Sequence, residues 1–245
     1  MLIPQVLHYI WLGQKPMHPL MTQWRLKWAA LHPTWKVKVW HEVTAMPAQL
    51  AHEDEILECR HADYLRKCPT LAKRSDVWRY DLLEQQGGIY LDTDFEPLRN
   101  IEILVADKEA FAGKCCTRYG WSSTDPVGKF KIEIGCSIMG TTPHHPWILD
   151  LFDHTEQQDP VEQLSLSFPY ITQVTARHPG VHLFEPEIFY PIRWDQYANL
   201  RQDKGAGSLH KKAPPPEAYA VHQWSSNWFP NGLKPLGSNE KKQIP

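Results

Sequence analysis

The sequence predicts an α/β domain with a mixed, mainly parallel sheet flanked by helices. Two observations support this class. The first forty residues are patterned as strand, helix and strand, the order that generates parallel pairing. Further along, a helix passes through two glycines into a short apolar strand that ends in two aspartates. Open α/β sheets bind ligands beyond the carboxyl ends of their strands, so these aspartates are placed where a site is expected.

The opening unit follows from its hydrophobic periodicity. Residues Val6–Leu12 form the apolar run of a buried strand. Apolar residues between Leu20 and Leu31 recur at helical spacing, and Pro33 lies just beyond them, so the helix ends before that proline. Residues Lys36–Trp40 alternate polar and apolar, as a half-buried strand does. The unit therefore predicts a βαβ start.

A second helix is predicted over Thr70–Gln86, with Gly87 as a left-handed C-terminal cap and a strand at Ile89–Leu91 directly after it. Asp76 and Arg79 are three residues apart on this helix, so they lie on one side, bordering the apolar stripe. They are expected to point toward the next strand.

Later elements are more weakly patterned. We expect helix in 44–69, strands at 109–113 and 130–140, and two helices in 147–178. A chain of 245 residues with 42% hydrophobic content can bury one sizeable core, so residues 1–235 are predicted as a single domain and the polar residues 236–245 as a frayed tail.

Composition narrows the function classes. The net charge is −2 and no basic run is present, which argues against nucleic acid as a partner. The 5 cysteines are odd in number and form no Cys-x-x-Cys pair, which argues against a disulfide framework and a zinc site. The first residues resemble neither a signal peptide nor a membrane span, so we expect a cytoplasmic protein.

Asp92 and Asp94 are the strongest candidate site residues. Mg²⁺ and Mn²⁺ prefer oxygen ligands and commonly share them between one or two protein carboxylates and substrate phosphates. Chance Asp-x-Asp pairs are nevertheless common in a chain with 28 acidic residues, and a solvated turn is the plain alternative. The surrounding sequence decides between the two.

That surrounding sequence resembles the DXD-type sugar glycosyltransferases, a family that includes yeast α-mannosyltransferases and, more remotely, the catalytic domains of clostridial glucosylating toxins. The blocks that carry the resemblance are Ile3–Gly13, Arg74–Tyr80, Leu82–Leu83, Gly87–Asp94, Glu96–Leu98 and His222–Trp228. The resemblance implies a fold of the GT-A type, with a nucleotide-sugar-binding core in 1–150. It also implies that 151–235 forms a helical, acceptor-side part with a metal-contacting C-terminal segment.

The resemblance also implies a metal site for Mn²⁺ or Mg²⁺. Asp94 is expected to be a direct ligand, Asp92 to contact the metal through water or the donor ribose, and His222 to be the third ligand. Packing is the alternative for His222, because the chain has 13 histidines and most histidines serve packing or surface roles.

Donor contacts are implied at further positions. Asp76 would bind ribose or sugar hydroxyls and Arg79 sugar or phosphate oxygens, so that Arg79, Asp92 and Asp94 form the catalytic set. The other expected donor contacts are Trp11 against the base, Tyr90 on a phosphate, and Ser226 and Trp228 on the diphosphate. The structural alternatives are an intrahelical Asp76–Arg79 ion pair of about 0.2–0.5 kcal/mol and core packing of Trp11 and Tyr90.

Residues Lys131–Trp147 are expected to line the sugar or acceptor side, with Glu133, Gly135 and Ser137 among them. His144 and His145 are adjacent on an extended segment, so their side chains point to opposite faces and loop packing is favoured over a metal site.

The implied function is metal-dependent, retaining transfer of a hexose from a UDP- or GDP-linked donor to a glycan or glycolipid acceptor, in surface polysaccharide synthesis, with membrane association only peripheral and through the acceptor. No residue identifies itself as a nucleophile, so a same-face substitution is preferred. Two alternatives stay open, a carbohydrate-binding protein and a protein-modifying transferase of effector type. An aspartate-nucleophile phosphatase is disfavoured, because Glu96 stands where that class has Thr or Val and the motif lies mid-chain.

Overall fold

The computed structural model describes residues 2–13, 16–42, 54–118, 130–162, 166–193 and 214–224. These residues form a seven-stranded sheet, a two-stranded sheet and flanking helices. The strands are β1 (Val6–Ile10), β2 (Lys36–Glu42), β3 (Asp54–Leu57), β4 (Gly88–Leu91), β5 (Phe95–Pro97), β6 (Ala110–Arg118), β7 (Phe130–Thr141), β8 (His182–Phe184) and β9 (Ala220–His222). The helices are α1 (Pro19–Leu31), α2 (Ala62–Lys67), α3 (Leu71–Gln86), α4 (Glu102–Val105), α5 (Pro146–Asp153), α6 (Phe168–Thr175) and α7 (Pro186–Phe189).

The large sheet has the order β3-β2-β1-β4-β7-β6-β8. Pairing is parallel from β3 through β4 and again between β6 and β8, and antiparallel where β7 meets β4 and β6. Helices α3, α5 and α6 contribute to one hydrophobic cluster, and α1, α4 and α7 to a second. The predicted α/β class with a mixed, mainly parallel sheet between helices is therefore confirmed.

The predicted βαβ start is confirmed. Strands β1 and β2 pair in parallel, with helix α1 between them. Trp28 on α1 is fully buried, and its indole Nε1 donates to the Phe95 carbonyl at 3.0 Å. This bond ties the first helix to β5, the short strand that follows the Asp-x-Asp motif.

Helix α3 ends at the predicted Gln86 and begins one residue after the predicted Thr70, which is its N-cap. Thr70 Oγ1 accepts from the backbone N–H of Lys73 at 3.2 Å, which is a side-chain N-cap. Gly87 differs from the expected left-handed cap, because its φ of 61° is combined with an extended ψ of −155°, a region almost restricted to glycine. A Cβ at Gly87 would lie 2.6 Å from Pro143 Cδ, so the chain can turn into β4 here only with glycine.

One predicted element is wrong in part. Residues 54–57, expected to be helical, form β3, which pairs in parallel with β2 at the sheet edge. Pairing with an existing strand overrides a weak local pattern. A helix does follow at Ala62–Lys67, while 43–53 lie outside the described residues.

The other weakly patterned elements are confirmed. Strand β6 begins one residue after the predicted 109 and runs beyond 113, strand β7 covers 130–140 and one further residue, and α5 and α6 are the two helices of 147–178. The division of the domain at residue 150 stays a prediction.

Of the helices described, none has both the length and the apolar character needed to cross a membrane. In the described part of the chain, Cys59, Cys68, Cys115 and Cys136 are not joined in disulfides.

Candidate active site

The Asp-x-Asp motif lies in the turn between β4 and β5, at the carboxyl end of a central strand. The backbone N–H of Asp92 donates to the Ser137 carbonyl on β7 at 2.8 Å, and the N–H of Phe95 donates back to the Asp92 carbonyl at 3.1 Å. These two bonds fix the turn that carries Asp92 and Asp94. The position agrees with the rule that open α/β sheets bind ligands at this edge.

Strand β9 brings His222 to the motif. It pairs antiparallel with β5, with Phe95 opposite His222 in the register, and the Gln223 N–H donates to the Asp94 carbonyl at 3.0 Å. The imidazole also stacks on the Phe95 ring, with centroids 4.9 Å apart. A histidine far along the chain is therefore held beside both aspartates by backbone pairing and ring packing.

Asp92, Asp94 and His222 form a cluster with metal-ligating chemistry, here called the metal-type cluster. His222 Nε2 is 3.1 Å from Asp94 Oδ1 and 3.8 Å from Asp92 Oδ2, and one ligand atom of each residue lies within 4.8 Å of the others. Two ligands at right angles on an octahedral ion with bonds of about 2.1 Å would be about 3 Å apart. The spacing and the mixed oxygen and nitrogen donors fit a divalent cation held by all three residues.

The environment of His222 differs between its two ring nitrogens. Nε2 faces the two carboxylates, whereas Nδ1 is buried and has no hydrogen-bond partner among the described residues. Asp94 and His222 are buried and Asp92 is partly exposed, so the cluster is open on the Asp92 side.

Arg79 is the buried cation of the site. Its Nη1 donates to the Cys136 carbonyl at 2.6 Å, and its Nη2 lies 2.7 Å from Asp76 Oδ1 and 3.5 Å from Asp92 Oδ1. Burial raises the pKa of Asp76 to about 6, with nearby Asp92 adding to the rise and Arg79 opposing it. The pair predicted on one side of α3 is thus formed, and it reaches the Asp-x-Asp motif.

Tyr90 holds Asp92 rather than lying open to a ligand. Its hydroxyl donates to Asp92 Oδ1 at 2.6 Å and lies 3.2 Å from Ser75 Oγ, and the Arg79 guanidinium stacks over its ring at 4.5 Å. Tyr90 and Arg79 both engage Oδ1, so Oδ2 is the Asp92 oxygen that faces His222.

The other residues expected to contact the donor or acceptor are Trp11, Ser226, Trp228 and the segment Lys131–Trp147. Trp11 follows β1 at the same sheet edge, half-buried, with its backbone N–H donating to the Trp40 carbonyl at 2.9 Å. Ser226 and Trp228 lie outside the described residues. In the segment Lys131–Trp147, the backbone carbonyls of Cys136 and Ser137 accept hydrogen bonds from Arg79 and Asp92.

His144 and His145 take up structural contacts at a distance from the metal-type cluster. His144 Nδ1 is 2.6 Å from Glu84 Oε1, and His145 Nδ1 accepts from the backbone N–H of Trp147 at 3.2 Å, capping α5. The expected loop packing is what the structure contains.

Sequence reasoning missed two aromatic residues beside His222. The Trp224 and Tyr190 rings have centroids 4.1 Å and 5.7 Å from the imidazole. The nearness of Trp224 to His222 in sequence was a usable signal. Tyr190 gave none, because it reaches the site through the fold and has no motif around it.

Residues 21–111 match the sequence model of a family described as "Glycosyltransferase sugar-binding region containing DXD motif". This region carries Asp76, Arg79, Asp92 and Asp94. The resemblance to DXD-type glycosyltransferases is thereby confirmed.

Two curated proteins of Saccharomyces cerevisiae are similar over most of the chain. Mannosyl phosphorylinositol ceramide synthase SUR1 is 25% identical over 225 residues, covering 91% of this chain and 49% of the yeast protein. Mannosyl phosphorylinositol ceramide synthase CSH1 is 23% identical over 227 residues, covering 90% of this chain and 50% of the yeast protein. The chain thus spans about half the length of these curated relatives.

Solved glycosyltransferase structures are more distant. The catalytic domain of alpha-toxin from Clostridium novyi has a TM-score of 0.49 and 9% identity, covering 64% of this chain and 58% of the toxin chain. The galactosyltransferase LgtC has a TM-score of 0.47 and 11% identity, covering 89% of this chain and 86% of that chain.

Proposed function

We propose that this chain, whose residues 21–111 carry the DXD-containing region of a glycosyltransferase family, is a metal-dependent, retaining hexosyltransferase of the GT-A type. It takes a nucleoside diphosphate sugar as donor and a glycan or glycolipid as acceptor. The observation that carries the proposal is the convergence of Asp92 and Asp94, in the turn between β4 and β5, with His222 on β9 at the carboxyl edge of the sheet.

The three residues would hold Mn²⁺ or Mg²⁺. A bound divalent cation supplies Lewis-acid neutralisation of the departing diphosphate. Asp94 and His222 fix the cluster from the buried side, and Asp92 completes it from the open side. Tyr90 and Arg79 keep one Asp92 oxygen occupied, so that the other is aimed into the cluster.

Asp76 and Arg79 are proposed to bind the donor. Arg79 is anchored by the Cys136 carbonyl and by Asp76, so its guanidinium is already oriented before any ligand arrives. A guanidinium fixed in this way recognises sugar or phosphate oxygens in a planar fork. Asp76, held by Arg79, would accept hydrogen bonds from donor hydroxyls.

The stereochemical proposal is retention by same-face substitution, in which the departing phosphate accepts the acceptor's proton. The carboxylates around the site are already engaged: Asp94 with His222, Asp92 with Tyr90, and Asp76 with Arg79. A nucleophilic role would require Asp94 or Asp76 to leave its partner, and the second Asp92 oxygen is directed at His222 in the proposed metal site. Trapping of a covalent glycosyl-enzyme would overturn this part of the proposal.

The donor and acceptor are proposed from the relatives. Both yeast relatives are named as mannosyl phosphorylinositol ceramide synthases, so a mannosyl donor is the first of the UDP- and GDP-hexoses to test. The same names favour a glycolipid with a phosphorylated polyol head group as acceptor. We further propose a cytoplasmic protein with a role in surface polysaccharide synthesis, which contacts a membrane only through its acceptor.

The test is thermal stabilisation and donor hydrolysis across a panel of nucleotide sugars, with and without Mn²⁺. A donor at 100 times its dissociation constant should stabilise the fold by about 2.7 kcal/mol. Asp94→Asn should abolish the Mn²⁺-dependent part of the response. Asp107→Asn is the matched control, because Asp107 is an exposed acidic residue whose carboxylate pairs with Lys108.

The outcomes separate the alternatives. Turnover of one donor with loss in Asp94→Asn supports the transferase. Glycan binding without consumption of any donor would instead identify a carbohydrate-binding protein. Transfer to proteins but to no glycan or glycolipid would identify the effector type.

A further inference from the structure

Tyr190, the residue that follows α7, packs against the His222 member of the metal-type cluster. Its side chain is buried, and its ring packs edge-on against His222 with centroids 5.7 Å apart. The same ring lies edge-on to Phe95 at 5.6 Å and tilted against Trp224 at 5.9 Å. His222 is therefore enclosed by three aromatic rings, of which Tyr190 alone comes from outside β5 and the β9 segment.

Two glycines form a socket for the Tyr190 ring. Gly113 on β6 and Gly135 on β7 are paired across the sheet, where the register shifts between Ala112 and Gly113. A Cβ at Gly113 would lie 2.7 Å from Tyr190 Cε2, and a Cβ at Gly135 would lie 2.7 Å from Tyr190 Cζ. Both distances are shorter than van der Waals contact, so the sheet surface is shaped to admit this ring at this depth.

The segment that carries Tyr190 is bound to the β9 segment on both sides of the ring. The backbone N–H of Tyr219 donates to the Ile188 carbonyl at 2.9 Å, and the indole Nε1 of Trp224 donates to the Ile192 carbonyl at 2.7 Å. Trp224 adopts a φ of 47°, uncommon for a residue with a side chain. Hydrogen bonds therefore join the Tyr190 segment to the strand that carries His222.

The ring packing matters because of how the His222 imidazole is oriented. A metal-ligating histidine commonly donates its second ring N–H to a carboxylate or carbonyl, which fixes the ring orientation. His222 Nδ1 has no such partner among the described residues. Away from the two carboxylates at Nε2, the imidazole is therefore restrained by the aromatic rings that pack around it.

We propose that Tyr190 is a positioning residue for the metal site, which orients His222 through ring packing set by the Gly113–Gly135 socket. This inference rests on the proposed metal dependence. Loss of the ring would free the imidazole to rotate away from Asp94. Removing the residue that orients a metal ligand typically weakens metal binding by about 10–100-fold.

The experiment measures the affinity of the full chain for Mn²⁺ in the absence of donor. Electron paramagnetic resonance reports the concentration of free Mn²⁺ during the titration. Tyr190→Leu removes the ring and should weaken Mn²⁺ binding by about 10–100-fold. Tyr190→Phe keeps the ring and should bind within a few-fold of the wild type. Tyr170→Leu is the matched control, since Tyr170 is a similarly buried tyrosine in the other hydrophobic cluster, and Mn²⁺ affinity should be unchanged.

Gly135→Ala gives a second, independent variant, because it keeps the tyrosine and displaces it from the socket. It should weaken Mn²⁺ binding in the same direction, and it decides the matter if Tyr190→Leu does not fold. Full Mn²⁺ affinity in a folded Tyr190→Leu or Gly135→Ala variant would overturn the positioning role and leave the metal site standing. A wild-type chain that binds no Mn²⁺ would overturn both together.

Discussion

Helix α3 contributes to two clusters in which two acids contact an arginine, and the two are built in opposite ways. In the Arg60 cluster, Asp81 accepts from Arg60 Nε at 2.6 Å, from the Arg60 backbone N–H at 2.8 Å and from Gln85 Nε2 at 2.8 Å. Glu84 is bonded by Arg60 Nη2 on one oxygen and lies 2.6 Å from His144 Nδ1 on the other. Both oxygens of both carboxylates are engaged within the protein.

The Arg79 cluster, formed by Asp76, Arg79, Tyr90 and Asp92, reverses the exposure. The Arg60 side chain is 46% exposed and Asp81 is not exposed at all, whereas the Arg79 side chain is 5% exposed and Asp92 26%. The outward member of the first cluster is therefore a cation whose acids are already satisfied. The outward member of the second is a carboxylate with one oxygen directed at His222.

The difference shows how one helix supports both stability and a site. Residue types alone do not distinguish the clusters, since each combines two acids with an arginine. What distinguishes them is which charge a ligand can reach. A cluster with buried, fully bonded acids holds the fold together, and a cluster with a reachable carboxylate can take part in binding.

The largest expected effect on stability is that of Arg60→Ala. It leaves two buried carboxylates without their cation, and breaking a buried pair costs about 3–5 kcal/mol, with the lower end expected because Arg60 is partly exposed. Urea unfolding should show the loss, while Mn²⁺ affinity of the folded variant should match the wild type. A comparable loss of Mn²⁺ affinity would break the separation between the clusters.

Acid should also weaken the end of α3 that the Arg60 cluster supports. His8 Nδ1 accepts from the Trp40 indole at 3.1 Å, which leaves Nε2–H to donate to the Gly87 carbonyl at 3.0 Å, and burial lowers the pKa of His8 to about 3. The neutral ring therefore contributes stability that is complete above pH 6.5, its ordinary pKa, and is lost as pH falls toward 3.

The expected slope for His8 is at most about 1.4 kcal/mol per pH unit between these limits. Urea unfolding of the wild type and of His8→Gln at several pH values from 4 to 7 measures it. The variant should be less stable at neutral pH and should depend less on pH. Equal slopes in the two proteins would show that His8 is not the group being protonated.

Arg79→Lys should act on function instead. An ammonium cannot bond the Cys136 carbonyl and Asp76 in one plane, and a lost charged hydrogen bond is worth about 1.5–3 kcal/mol. Donor turnover should fall by about 10–100-fold. Arg60→Lys, the same change in the other cluster, should lower the free energy of unfolding and leave turnover intact. If both variants lose turnover equally, the comparison fails.

The smallest expected effect is that of Tyr90→Phe, which removes the hydroxyl that holds Asp92 Oδ1. One hydrogen bond of about 1 kcal/mol corresponds to roughly a fivefold loss of Mn²⁺ affinity. Tyr80→Phe, a change on the neighbouring helix α3, is the control, since the Tyr80 hydroxyl donates to the Leu166 carbonyl at 2.6 Å. That variant should change stability alone. Unchanged Mn²⁺ affinity in Tyr90→Phe would remove the orienting role of this hydroxyl.

Features set by local chemistry could be predicted from the sequence. Local signals mark the boundaries of α3, which are the N-cap at Thr70 and the glycine after Gln86. The apolar run of β4 then indicates where the aspartates begin. Asp76 and Arg79 could be paired because three residues of helix place them side by side. The strand at 54–57 was not predictable, because its pairing with β2 determines its conformation.

Features set by distant contacts could not be predicted in the same way. Strands β5 and β9 have three residues each, too few for a periodic pattern. The approach of His222 to Asp94 was expected only through the family resemblance, and Tyr190 has no neighbouring motif. The socket that makes Tyr190 relevant is formed by glycines on two other strands, which no inspection of residues near 190 reveals.

The β5–β9 pairing has a consequence for how the molecule matures. Gln223 Nε2 donates to Glu96 at 2.8 Å across 127 positions of chain, beside the pairing of Phe95 with His222. During synthesis β4 and its sheet partners β1 and β7 emerge and can fold long before β9, the partner of β5, has left the ribosome. A nascent chain would therefore hold the two aspartates without the histidine, and metal binding would be completed only when the last described strand docks.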